Sequence, residues 1–195
     1  MGLPGETAGI LHHYSDWDGR TQYVTMFGQS VNVNLVANTQ VFATIANQGM
    51  AIPPHIIDGY TCSGSFEPTE QPEPQQVVSP ESSEQMIRML ESTVHEGGTG
   101  VNAAIDGYRV AGKTGTAETS DGRGGLTHRA ASFVGVAPAE APEIAVGVVV
   151  VQPSGIYGSL VAAPVFHDVT EFSLQHLGVP PSTEEPQLYP LTPQD

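Results

Sequence analysis

The stretch Gly107-Tyr-Arg-Val-Ala-Gly-Lys-Thr-Gly-Thr-Ala-Glu118, GYRVAGKTGTAE, fits two signatures at once. From Gly107 to Thr114 it satisfies the phosphate-loop pattern G-x-x-x-x-G-K-[ST]; from Lys113 it reads as Lys-Thr-Gly, an element of unrelated chemistry. A phosphate loop must follow a buried strand and open a helix, because amides at the helix N-terminus hold the anion. Neither neighbour fits. GGTGVNAAID at 97–106 is no strand, and GTAETSDGRGG at 115–125 cannot sustain a helix. The magnesium-binding acid expected at the end of a second apolar strand is also absent, since the only candidate ends Val149-Val-Val-Gln152.

The same residues read as an extended strand in which Tyr108, Val110 and Gly112 alternate with Arg109, Ala111 and Lys113, followed by the small residues Thr114, Gly115 and Thr116. Such an edge is kept clear for a ligand. Glycine admits a ligand's backbone, the hydroxyls of Thr114 and Thr116 can donate to a carboxylate, and Lys113 adds positive charge. Lys113 is the only lysine among 195 residues. A lone lysine set among glycine and threonine is poorly explained as surface solvation.

Twenty-one acidic against six basic residues give a net charge of −15, which argues against nucleic acid or anionic lipid as partner. A hydrophobic fraction of 39% still supports a globular domain. Cys62, the single cysteine, excludes an internal disulfide and a cysteine-based zinc site. The seven histidines, His12, His13, His55, His95, His128, His167 and His176, offer no i, i+4 pair with an intervening carboxylate, so neither metal nor cofactor is expected. No G-x-S-x-G elbow occurs. The longest aliphatic run, Ile144 to Val151, is far short of the ~20 residues of a spanning helix. Residues 1–20 lack the features of a secretory signal.

Along the chain, residues 1–22 read as irregular loop, and apolar spacing from Leu35 to Gln48 predicts a helix capped by Gly49. Ala51–Ile57 reads as a short strand, and residues 63–76 as an acidic, proline-rich loop. Ser79-Pro80-Glu81 starts a second helix, with Met86, Met89, Leu90, Thr93 and Val94 on one face, and Gly97-Gly98 ends it. Ala130–Ala137 and Pro142–Gln152 form a predicted β-hairpin, and Leu160–Leu177 a closing helix stopped by Gly178 and Pro180. Gly155, Tyr157 and Gly158 shape a turn near the ligand edge. Residues 178–195, where five prolines stand among 179–195, are expected to be a disordered tail after a domain spanning 1–177.

Several blocks occur in an order that resembles the C-terminal part of the transpeptidase domain of class B penicillin-binding proteins, of the cell-division or elongation type. They are GLPGE at 2–6, FGQSVNVNLVANTQVFATIANQG at 27–49, MLESTVHEGGTG at 89–100, AAIDGYRVAGKTGTAE at 103–118, FVGVAPA at 133–139 and APVF at 163–166. The resemblance covers most of residues 2–177. It implies an α+β fold, a five-stranded antiparallel sheet with helices on both faces, of which this chain would carry three strands.

The resemblance also implies a serine D,D-transpeptidase that cross-links peptidoglycan stem peptides and is acylated by β-lactams, working on the extracytoplasmic face of the bacterial membrane alongside division or elongation proteins. Lys113 would tune the cleft and its proton relay, Thr114, Gly115 and Thr116 would bind the carboxylate of substrate or drug, and the Thr116 amide would supply half of an oxyanion hole. The family's nucleophile lies in Ser-x-x-Lys. Because Val110 stands three residues before the sole lysine, no such motif occurs here, and the nucleophile is expected in a missing N-terminal half of the domain. Ser30-Val31-Asn32 matches the family's Ser-x-Asn literally, but in a block without a catalytic serine, so Ser30 is read as a loop residue. Two other readings share the Lys-Thr-Gly element: a fragment of a serine β-lactamase or β-lactam sensor, and a binding module without chemistry.

Overall fold

The computed structural model describes residues 5–119, 122–125, 127–154 and 157–191. In chain order, β1 (Ile10–Leu11) leads through a 3₁₀ turn at Tyr14–Asp16 to α1 (Thr21–Thr25), and β2 (Val31–Asn32) pairs back onto β1. Helix α2 (Leu35–Ala46) begins where the Asn34 side chain accepts from the Ala37 amide at 2.8 Å, and left-handed Gln48 and Gly49 turn the chain away. β3 is Met50–Ala51, β4 Gly59–Cys62, β5 Ser65–Pro68 and β6 Gln75–Gln76. The single strand expected over 51–57 is thus confined to its first residue. The loop expected over 63–76 contains β5, which pairs with β4 as an antiparallel hairpin. Left-handed Ser63 and Gly64 make the tight reversal there.

Helix α3 (Pro80–Ser92) starts as its sequence predicts: the Ser79 hydroxyl accepts from the Ser82 amide at 3.2 Å, and Pro80 takes the first turn, where a missing N–H costs nothing. Its buried face agrees with the expected one at Leu90 and Val94 and differs elsewhere. Ser83, Leu90 and Glu91 are buried and Ile87 packs inward, whereas Met86 and Met89 are exposed. Glu91 takes an inward position and pairs with Arg109, while the two methionines face solvent.

The central sheet is β7 (Ala111–Thr119), β8 (His128–Ala137) and β9 (Ile144–Val151), antiparallel in the order β7-β8-β9. The predicted hairpin is β8–β9. The motif strand starts at Ala111 rather than Tyr108, because Gly107 is left-handed and Tyr108 still bridges Ile105. Helix α4 (Gly158–Leu177) covers one face: Ala162, Ala163, Phe166 and Leu174 are buried with Val94, Val110 and Phe133, and the Phe133 and Phe166 rings lie 4.6 Å apart. Helices α2 and α3 cover the other, where Leu90, Ala111, Val136 and Ala139 meet Phe42 and Ile87. The result is the expected α+β architecture, with three antiparallel strands between helical layers.

Residues 179–191 are not the free tail that the prolines suggest. They have no regular secondary structure, yet Tyr108 Oη donates to the Val179 carbonyl (2.8 Å), the Ser182 amide donates to the Gly107 carbonyl (2.8 Å), and Ser182 Oγ accepts from the Arg109 amide (2.9 Å). Further on, the Tyr189 amide donates to Ser92 Oγ at 2.8 Å, and Arg88 stacks over the Tyr189 ring. Proline removes donors and fixes the backbone, which favours an extended strap over a helix or strand. Composition alone does not distinguish such a strap from disorder.

Candidate active site

The site is built on β7, which among the described residues pairs only with β8. Thr93 Oγ1, just past α3, shares its proton between the Leu90 carbonyl (2.9 Å) and the Gly112 carbonyl (2.5 Å). The Gly112 carbonyl therefore faces away from β8. Backbone direction alternates with period two along a strand, so the peptide groups of Thr114 and Thr116 also face the open edge, while those of Lys113 and Gly115 face Val134 and Ser132 across the ladder. The Thr114 amide and the amide and carbonyl of Thr116 are what an extended ligand can bind on this edge.

Side chains alternate as well. Thr114 and Thr116 share the α4 face with Phe133, and Lys113 starts from the face covered by α2 and α3. The Lys113 ammonium lies at the open edge, donating to the Thr114 carbonyl at 3.1 Å and reaching Thr114 Oγ1 at 3.4 Å. Among the described residues no carboxylate pairs with it, so its charge is available to an anion. Thr116 Oγ1 accepts from the Gly158 amide, 3.2 Å away at the start of α4. That contact occupies an oxygen lone pair and leaves the hydroxyl proton to be donated outward.

Two glycines set this geometry. A Cβ on Gly115 would meet Ser132 Oγ directly across the ladder, so a side chain there would have to displace that hydroxyl. A Cβ on Gly158 would lie 2.5 Å from the carbonyl oxygens of both Gly115 and Ser132; only glycine lets α4 approach and reach Thr116. The sequence reading assigned Gly158 to a turn, and it is instead the first helical residue. Tyr157 precedes it with an exposed ring, and Gly155 lies outside the described residues.

Behind the strand, Arg109 holds the fully buried Glu91 through two bonds, Nε to Oε1 at 2.6 Å and Nη2 to Oε2 at 2.9 Å. Accepting carboxylate oxygens raise the pKa of the guanidinium further, and Glu140 adds to the effect from 3.8 Å. Sequence reading missed this pair, together with Thr93, Thr99 and Ser182. The available signal was an arginine in the lead-in to the motif strand and a polar Glu-Ser-Thr run at the end of an otherwise amphipathic helix.

The remaining candidates do not join this site. Ser30, left-handed at φ 63°, lines a separate depression of about 570 Å³ with His12, Trp17 and Arg20, none of them a motif residue. Among the described residues no three His, Cys, Asp or Glu side chains cluster as metal ligands would, and no helix is long and apolar enough to cross a membrane.

Residues 1–171 match the family described as the penicillin binding protein transpeptidase domain. The chain is 34% identical over 198 residues to penicillin-binding protein PbpB of Mycolicibacterium smegmatis, covering 94% of this chain and 30% of that protein. It is 33% identical over 184 residues to the probable peptidoglycan D,D-transpeptidase PbpC of Pseudomonas aeruginosa, covering 93% of this chain and 31% of that protein. Penicillin-binding protein 3 from Mycobacterium tuberculosis, solved in complex with ampicillin, superposes with a TM-score of 0.87 at 31% identity over 98% of this chain and 46% of that one. The chain thus spans about a third of the length of the curated relatives it matches. Sequence blocks, sheet order and motif edge lead to one conclusion: this chain belongs to the penicillin-binding protein transpeptidase domain family.

Proposed function

We propose that this chain is the C-terminal part of a serine D,D-transpeptidase domain and forms the carboxylate-binding wall of its active site. The observation that carries the reading is the ammonium of Lys113, which pairs with no carboxylate among the described residues, at a strand edge whose next open positions, Thr114 and Thr116, offer hydroxyls and backbone groups. The substrate is the D-Ala-D-Ala end of a peptidoglycan stem peptide, and β-lactams occupy the same place. Lys113, Thr114 and Thr116 receive the terminal carboxylate, with Gly115 keeping the strand flat against β8. The Thr116 amide donates to the oxyanion that forms as a serine from an upstream segment attacks the penultimate carbonyl; D-Ala leaves, and the amine of a second stem resolves the acyl-enzyme. Because the chain contains no Ser-x-x-Lys, it is inactive alone and requires that segment for acylation. The intact protein works on the extracytoplasmic face of the bacterial membrane with other proteins of division or elongation.

The test is the intact mass of the chain after incubation with penicillin, alone and together with the upstream part of the domain. The expected result is no adduct alone and one stoichiometric adduct on the upstream partner in the mixture. An adduct on this chain by itself, at Ser30 above all, would overturn the reading.

A further inference from the structure

Trp17 is the only tryptophan of the chain, and the motif strand makes no use of it. Its indole Nε1–H donates to the His12 carbonyl at 3.1 Å, and its amide donates to the Tyr14 carbonyl at 3.3 Å, closing the 3₁₀ turn Tyr14–Asp16. The ring is therefore tethered by its polar edge, yet the residue stays 36% exposed. It lines the depression of about 570 Å³ that also contains Ser30, a volume within the range of about 300–1,000 Å³ usual for small-molecule sites. An amphipathic ring held in the wall of a concave surface is a stacking platform rather than a piece of core.

The rest of the lining is polar and little of it is engaged. Asp18 is committed to the start of α1, 2.7 Å from both the amide and the hydroxyl of Thr21. By contrast, the His12 ring, the Arg20 guanidinium, the Gln29 amide group and the Ser30 hydroxyl make no hydrogen bond or ion pair with another described residue. Ser30 is held at φ 63°, a left-handed conformation uncommon for a residue with a side chain and one that recurs at ligand sites. Asp16 and Asp18 repel an anion and Arg20 repels a cation, so the lining selects a neutral ligand with many polar groups. A sugar has that chemistry: the C–H face of its ring stacks on indole, and its hydroxyl and acetamido groups exchange hydrogen bonds with arginine, glutamine and serine.

We propose that this depression is a glycan-binding subsite, which holds an N-acetylated sugar of a peptidoglycan strand on the Trp17 ring, apart from the motif strand. The choice of an N-acetylated glycan rests on the transpeptidase reading above.

Because Trp17 is the sole tryptophan, its fluorescence reports on this depression alone. The chain is titrated with tri-N-acetylchitotriose, with cellotriose, which lacks the acetamido groups, and with N-acetyl-D-alanyl-D-alanine. The expected result is a saturable change with chitotriose, roughly tenfold or more weaker binding of cellotriose, and no change with the dipeptide. Arg20→Ala and Gln29→Ala are each expected to weaken chitotriose about tenfold while leaving the emission of the sugar-free chain unchanged. No response to chitotriose, equal affinity for cellotriose, or a response to the dipeptide each overturns the inference, and these rest on the unsubstituted chain alone. Native affinity in both variants overturns it as well. The penicillin adduct on the upstream partner is measured separately: an adduct without sugar binding overturns this inference alone, and sugar binding without an adduct overturns the transpeptidase reading alone.

Discussion

Glu91 and Arg109 join α3 to the lead-in of β7 through a bidentate ion pair whose carboxylate is wholly enclosed. Removing one partner strands a charge in the interior. Arg109→Ala is expected to lower stability by about 3–5 kcal/mol, whereas replacing both partners with apolar residues of similar volume costs much less. Urea denaturation of the single and double variants measures the difference, and a single-variant loss below about 1 kcal/mol would show that the pair does not anchor the strand.

Gly158→Ala places a methyl group against two carbonyl oxygens of the motif hairpin, and the helix start must retreat. The expected cost is about 1–3 kcal/mol, with loss of the Gly158–Thr116 hydrogen bond. A shift of the Thr116 amide resonance, together with a lower urea midpoint, reports both effects. An unchanged midpoint would mean that the close approach of α4 is dispensable.

Lys113→Ala removes an exposed cation that pairs with no carboxylate among the described residues, so the denaturation midpoint stays within about 0.5 kcal/mol of the unsubstituted chain. In the presence of the upstream segment, acylation by penicillin falls by about 10²-fold or more. A stopped-flow acylation rate that survives the substitution would remove Lys113 from the site.

Asp18 accepts from the Thr21 hydroxyl and amide, both at 2.7 Å, and from the Arg20 amide at 3.0 Å. These donors, the Thr21 side chain foremost, hold its pKa below the ordinary aspartate value. A depressed carboxylate contributes stability that is complete above its unfolded pKa and is lost as the pH falls through the folded one. The start of α1 is therefore expected to loosen only below about pH 4, seen as a coupled shift of the Thr21 amide and Asp18 side chain in an NMR titration. Asp18→Asn should remove the pH dependence.

The elements that can be read in the sequence are those governed by local rules. Ser79-Pro80 caps α3, Gly178 is left-handed at the end of α4, and Val and Phe within Ala130–Ala137 mark a strand, because each signal sits within a few residues of its effect. Lys113, Thr114, Gly115 and Thr116 could be singled out for the same reason. What was not legible depends on partners distant in the chain. Met86 and Met89 face solvent on α3, while Glu91 takes an inward position and pairs with an arginine 18 residues away. Thr99 and Thr114 meet across 15 residues, and Ser182 reaches Arg109 across 73. No window of helical or strand periodicity spans such distances.

The return of residues 179–182 to Gly107, Tyr108 and Arg109 fixes an order of completion. During synthesis at about 5–20 residues per second, roughly 4–15 seconds separate the emergence of Arg109 from that of Ser182. The hairpin of β8 and β9 can form on β7 within that interval, but the corner from which Lys113 projects lacks its last hydrogen bonds until the strap arrives. The lead-in to the candidate site thus waits for partners made 73 residues after it.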